Sequence, residues 1–274
     1  LKKNIFLIFI LLISSKSYAG TFNTNSGAFF SSNKVAVRVV SNTDCTNAGT
    51  SVEEIRDMIG PAIDDYWNTV TTSRLKLTNG GIFETEDTLY QTGELCTFGL
   101  PDSNCPATAI PPVSEILITC NDNTAVNFEG TEAQTVFAIA LPNDISGNNI
   151  IGSIIIINNT PDGDSENPFS GLSYQQKIAV ISHEIGHAIG IGHTSKNENI
   201  MYYTPTPERF ALGADDAMAM SYLYPEKFDG CGLFTTKDSE SNSSQNPMVF
   251  LLTLMLGLSL GFLVIVFKKF FFKL

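Results

Sequence analysis

Residues 183–193 read HEIGHAIGIGH, and the three histidines of the whole chain, His183, His187 and His193, all fall inside that stretch. His183 and His187 are four residues apart. On a helix they share one face, about 6 Å apart along the axis, and both imidazoles can reach one metal ion. Gly190 can adopt positive φ and stop the helix, so the chain turns and His193 can return as a third ligand. Three neutral nitrogen ligands with an open fourth position describe a catalytic zinc site rather than a closed structural one. Glu184 points to a neighbouring helical face and can reach a metal-activated water without ligating the ion. In that place a carboxylate serves as general base, and the water can attack a peptide carbonyl. With every histidine in this motif, a second zinc site built from histidines is excluded.

The rest of the chain supplies a frame of strands and helices. β-branched and apolar runs predict strands at residues 35–40, 74–78, 115–119, 135–141 and 152–158. Residues 154–157 are continuously apolar, as in a strand covered on both faces. Ser51 can cap a helix whose apolar face runs through Ile55, Ile59 and Ile63 to Tyr66, Trp67 and Val70, interrupted by Pro61. Tyr66 and Trp67 read as core packing. A second long helix starts after Ser173, with Ile178, Ile181 and Ile185 as its buried stripe, and a third spans residues 214–223. Residues 79–112 and 158–171 read as polar loops. This order, without internal repeats, gives an α+β class.

Charge separates the middle from the ends. The chain carries 16 Lys and Arg against 28 Asp and Glu, a net charge of −12, and this acidity argues against a nucleic-acid partner. The first 19 and the last 27 residues hold three lysines each and no acid, which leaves −18 for the middle. Residues 1–19 have a Lys2–Lys3 start, a short apolar run and small residues at Ser17 and Ala19, the pattern of a secretory signal peptide. The expected organisation continues with a catalytic domain over 20–225 and a polar linker over 226–247. An apolar stretch follows at 248–267, about 30 Å long as a helix, and then a basic tail at 268–274. By the positive-inside tendency the tail stays cytoplasmic and the acidic domain lies outside, on a membrane anchor. Spacer, apolar helix and basic tail also resemble a cleaved cell-surface sorting signal, and both fates remain open.

Five cysteines, Cys45, Cys96, Cys105, Cys120 and Cys231, suit an exported protein with two disulfides and Cys231 left over. Cys96 and Cys105 can close a loop, although four cysteines permit three pairings. No CxxC pair occurs, so a cysteine metal site is not expected.

His183, Glu184, His187, Gly190 and His193 together match HExxHxxGxxH, and the chain resembles the metzincin zinc peptidases. Residues 199–203, Asn-Ile-Met-Tyr-Tyr, look like the Met-turn of that group, with Met201 beneath the metal. Residues 212–225 are similar to the last helix of matrixins. The resemblance implies a zincin fold: a mixed twisted sheet, two long helices above a cleft, and a small lower subdomain with a C-terminal helix. It implies a zinc endopeptidase whose edge strand, 135–141, pairs with an extended protein or peptide substrate. Residues 202–207 would then wall the pocket after the scissile bond. Tyr203 stands where astacins and serralysins have a tyrosine near the metal, so it is either an oxyanion or zinc partner or a wall residue. Asp162 and Asp164 mark a possible calcium loop or a solvated one. The cysteine-switch motif and the histidine-based structural zinc of matrixins are missing from the pattern. Two other readings stand beside the peptidase: a non-catalytic binding or adhesion module, and a zinc hydrolase of non-peptide substrates. Oligomeric state is not legible.

Overall fold

A computed structural model describes residues 27–92, 114–122, 128, 132–161, 167–203 and 208–226. All lie in the first of two units, Leu1–Lys227. The signal-peptide, anchor and basic-tail segments lie outside the described residues. So do Cys96, Cys105, Cys231, Asp162 and Asp164. Among the described residues no helix is long and apolar enough to cross a membrane.

Six strands form one sheet: β1 (Phe29–Phe30), β2 (Lys34–Val40), β3 (Lys76–Phe83), β4 (Glu115–Asn121), β5 (Ala138–Ser146) and β6 (Asn149–Asn158). β3, β2, β4 and β6 run parallel in that order, and the short β1 joins the start of β6 in parallel. β5 pairs antiparallel with β6. The continuous apolar run predicted a strand buried on both faces, and Ile154, Ile155, Ile156 and Ile157 are all buried. Ile155 and Ile157 enter the main core; Ile154 and Ile156 join Leu117, Val40, Tyr90 and Phe128 in a second cluster.

Two long helices, α1 (Val52–Asp64) and α4 (Tyr174–Ala188), line the main core. Two single-turn helices, α2 (Leu89–Thr92) and α3 (Glu132–Thr135), lie between them in the chain, and α5 (Ala214–Leu223) closes the domain. Ser51 and Ser173 each form a capping box, with Glu54 and Gln176, so side chains satisfy the free N–H groups of the first turn.

The structure shifts several sequence expectations. β3 replaces the strand at 74–78 and runs through Gly80 and Gly81 into what reads as loop. Gly80 is required there by close approach, since a Cβ would sit 2.6 Å from Arg38 Cγ on the neighbouring strand. The edge strand lies at Ala138–Ser146 rather than 135–141, and carries two register shifts around Pro142 and Asp144. α1 passes Pro61 and stops at Asp64, so Tyr66 and Trp67 enter the core from a tight turn rather than along the helical stripe.

One disulfide is present among the described residues. Cys45 joins Cys120, tying the segment before α1 to the end of β4 across 75 residues of sequence.

Candidate metal centre

α4 carries the first two histidines because its length and cap place them on its buried face. His183 and His187 are both buried, while His193 is exposed. Gly190 stops the helix with φ +97, and a Cβ there would collide with the Ala28 carbonyl oxygen. The chain then returns through Ile191, whose N–H donates to the Gly186 carbonyl, and delivers His193. Ligand nitrogens of the three imidazoles lie within 4.8 Å of one another.

The hydrogen bonds assign the ring tautomers. His183 Nδ1 donates to the Ile200 carbonyl at 2.6 Å, and His187 Nδ1 donates to the Ile191 carbonyl at 2.9 Å. A carbonyl only accepts, so each Nδ1 carries the proton and each Nε2 keeps its lone pair. His187 Nε2 lies 3.0 Å from His193 Nε2. A lone pair aimed at a second imidazole nitrogen at that distance requires a cation or proton between them. The donor set therefore fits a divalent metal ion of the kind imidazoles prefer. Burial pushes the pKa of His183 down to about 4 and that of His187 well below the usual imidazole range. Both rings are neutral near pH 7, the form that binds metal.

Glu184 is buried beside His183, and burial raises its pKa well above the usual carboxylate range. Beneath the helix, Met201 packs against Gly186. A Cβ on Gly186 would collide with Met201 Sδ and lie 2.6 Å from Trp67 Cζ2, so glycine is the residue that lets this turn approach the ligand-bearing helix. The Trp67 indole N–H donates to the Ser182 carbonyl at 2.8 Å.

Sequence reasoning missed the supports of this turn. Asp216, in the first turn of α5, accepts from the N–H groups of Ile200 (2.7 Å), Met201 (3.3 Å) and Gly213 (2.8 Å). Asn199, fully buried, accepts from Asp215 N–H and donates to the Lys196 carbonyl. Tyr224 donates to the Ile189 carbonyl at 2.7 Å and accepts from Phe30 N–H at 3.1 Å. The adjacent Asp215–Asp216 pair opening a helix is the one signal in the sequence that points at this network.

Tyr203 is 58% exposed and its ring lies 4.4 Å from that of Tyr202, over which the Arg209 guanidinium sits at 4.8 Å. Residues 204–207, the remainder of the expected pocket wall, lie outside the described residues.

Residues 119–225 match the matrixin family. The domain is matrixin-like. Human matrix metalloproteinase-26 is 43% identical over 51 residues, which cover 18% of this chain and 20% of that protein. Metalloendoproteinase 2-MMP of Arabidopsis thaliana is 33% identical over 118 residues, 37% of this chain and 31% of that protein. A probable matrix metalloproteinase, 095L, of Invertebrate iridescent virus 3 is 34% identical over 72 residues, 26% of this chain. The chain spans between 17% and 31% of the length of these relatives. The matched region of the matrixin-like domain begins within β4 and ends just after α5, so it contains the histidine cluster and the turn under it.

Proposed function

We propose that this protein is a zinc-dependent endopeptidase acting on proteins outside the cytoplasm. The observation that carries the reading is the convergence of three imidazoles, two of them with the proton held on Nδ1 by backbone carbonyls so that Nε2 is the donor nitrogen, beside a buried carboxylate. His183, His187 and His193 would hold the ion. Bound there, zinc supplies a Lewis acid that makes water nucleophilic near neutral pH and polarises a carbonyl. Glu184 takes the proton from the attacking water and returns it to the leaving amine nitrogen. Met201 and Gly186 hold the floor against the helix, and Gly190 sets the return of the third ligand.

β5 supports a peptide substrate. Among the described residues it has a strand neighbour on one side only, so its outer edge can pair with an extended chain. The tilted packing of the Tyr203 ring against Tyr202, at the surface, supports a wall role for this tyrosine. The Cys45–Cys120 disulfide supports an oxidising compartment outside the cytoplasm. Tethering by residues 248–267 belongs to the same reading, and carbonate extraction of membranes from the native source tests it. The smaller subdomain below the cleft, built on α5, and calcium at Asp162 and Asp164 are also part of it.

The deciding experiment compares parent and Glu184→Gln by metal analysis and by cleavage of a peptide library. Both are expected to hold one zinc per chain, with cleavage lost by a factor of about 100 or more in the variant. Equal cleavage by the two proteins overturns the mechanism. One zinc per chain with no cleavage by the parent favours the binding-module reading instead.

A further inference from the structure

Two of the three imidazoles are fixed by a rigid helix. The third is not. His193 stands outside α4 and is exposed, so its position depends on the segments that flank it: Ile191, bonded to the Gly186 carbonyl before it, and the residues that follow. The segment that follows is held in an unusual way. Thr194 N–H donates to the Met201 carbonyl at 2.8 Å, and Tyr203 N–H donates to the Thr194 carbonyl at 3.3 Å. The Thr194 hydroxyl donates to one carboxylate oxygen of Asp215 at 3.3 Å, and Lys196 Nζ donates to the other at 3.0 Å. Lys196 N–H closes the turn on the Thr194 hydroxyl. Asp215 lies in the first turn of α5, 4% exposed, while the Lys196 side chain is 36% exposed. Lys196 is the cation paired with this buried carboxylate among the described residues.

We propose that Lys196 and Asp215 are a positioning pair for His193: their ion pair pins the segment behind the third imidazole to α5 and so sets how tightly the site keeps its metal. The inference rests on the metal-site reading above. Both oxygens of Asp215 are turned toward residues 194 and 196, one and three positions after the ligand. A carboxylate this buried is costly without a cation. Removing the Lys196 charge leaves Asp215 uncompensated, and the segment relieves that cost by opening toward water. His193 then loses its preset position, and metal binding must order it again. Groups that orient ligands without touching the metal commonly change affinity about 10- to 100-fold when removed.

The test uses the full chain and zinc itself, with dissociation constants read by chelator competition well below the melting midpoint, where the folded population is complete. Lys196→Met, which keeps most of the stem and drops the charge, is expected to weaken zinc binding about tenfold or more. Lys196→Arg, which keeps the charge, is expected to restore affinity to within about threefold of the parent. Lys196→Gln, measured alongside as a second uncharged variant, is expected to fall on the weak side. Asn68→Ala is the control, because Asn68 bonds Leu77 N–H and carbonyl far along the chain from the ligands. It is expected to lower the melting midpoint and leave zinc affinity unchanged. Parent-like affinity in Lys196→Met or Lys196→Gln overturns the positioning role and leaves the metal site standing. An equal loss in Asn68→Ala also overturns it, since the effect would then be general destabilisation. A parent that binds no zinc overturns the site reading and this inference with it.

Discussion

At the scale of single residues, the helix that bears His183 and His187 is defined by what cannot be larger. Gly186 lies between His183 and His187 in sequence, and a methyl group there meets the sulfur of Met201 and the indole of Trp67. Gly186→Ala is expected to destabilise the domain by about 1–3 kcal/mol, because the indole cannot yield as a flexible chain end would. Denaturant unfolding of parent and variant measures this, and an unchanged midpoint would mean that the turn beneath the helix is free to move. Tyr224 gives a pH dependence. Burial raises its hydroxyl pKa well above the ordinary value of 10.0. The folded state therefore keeps the proton that the unfolded state releases. The stabilisation is complete below about pH 10 and is lost as pH climbs from there toward the folded value. Tyr224→Phe is expected to cost about 1–2 kcal/mol at neutral pH through two lost hydrogen bonds, and to flatten the alkaline fall in stability. Urea unfolding at pH 7, 9 and 10.5 reads both effects. The three histidines were legible as a group because the spacing of His183 and His187 fixes a shared helical face and Gly190 ends the helix so that His193 can return. The glycine between them carried no comparable signal, since its role depends on Trp67, more than a hundred residues earlier.

At the scale of elements, legibility followed local chemistry. α4 was readable from its cap and apolar spacing, and the structure starts and ends α5 at the expected residues. β3 and β5 were misplaced for a common reason: their ends are set by neighbours. β3 continues through two glycines because Arg38 of β2 lies across Gly80. β5 is bent by register shifts that no periodicity announces. The first turn of α5 was read as a helix start, whereas Asp216 also serves as the anchor of residues 199–201. Asp216→Asn turns one acceptor into a donor facing backbone N–H groups. It is expected to cost about 1–3 kcal/mol and to loosen the peptide that holds His183 Nδ1. Thermal unfolding measures the first effect, and amide hydrogen exchange at Ile200 and Met201 measures the second. Parent-like protection at both amides would show that the carboxylate is not the anchor.

At the scale of the whole molecule, one covalent link among the described residues crosses the domain. The Cys45–Cys120 bond closes a loop of 75 residues that contains α1, β3 and α2. In the chain-entropy description such a closure stabilises by about 4.5 kcal/mol. Cys45→Ala with Cys120→Ala is expected to lose about 2–5 kcal/mol, and reductant is expected to lower the melting temperature of the parent more than that of the double variant. Equal melting with and without reductant would show the link to be absent. The sequence supported a disulfide-bonded domain but not this pairing, because the contact depends on the register of β2 against β4.

Tyr224 has a consequence in time. It bonds Phe30 across 194 positions and, through Ile189, the end of the helix that bears His183 and His187. At ordinary translation speeds the ribosome needs roughly 10–40 s to travel between those two points. Only for the last 31 of those positions, roughly 2–6 s, does the nascent polypeptide carry all three imidazoles while lacking the bolt behind them. On the proposed metal-site reading, an ion captured in that window would be held by an unfinished vice.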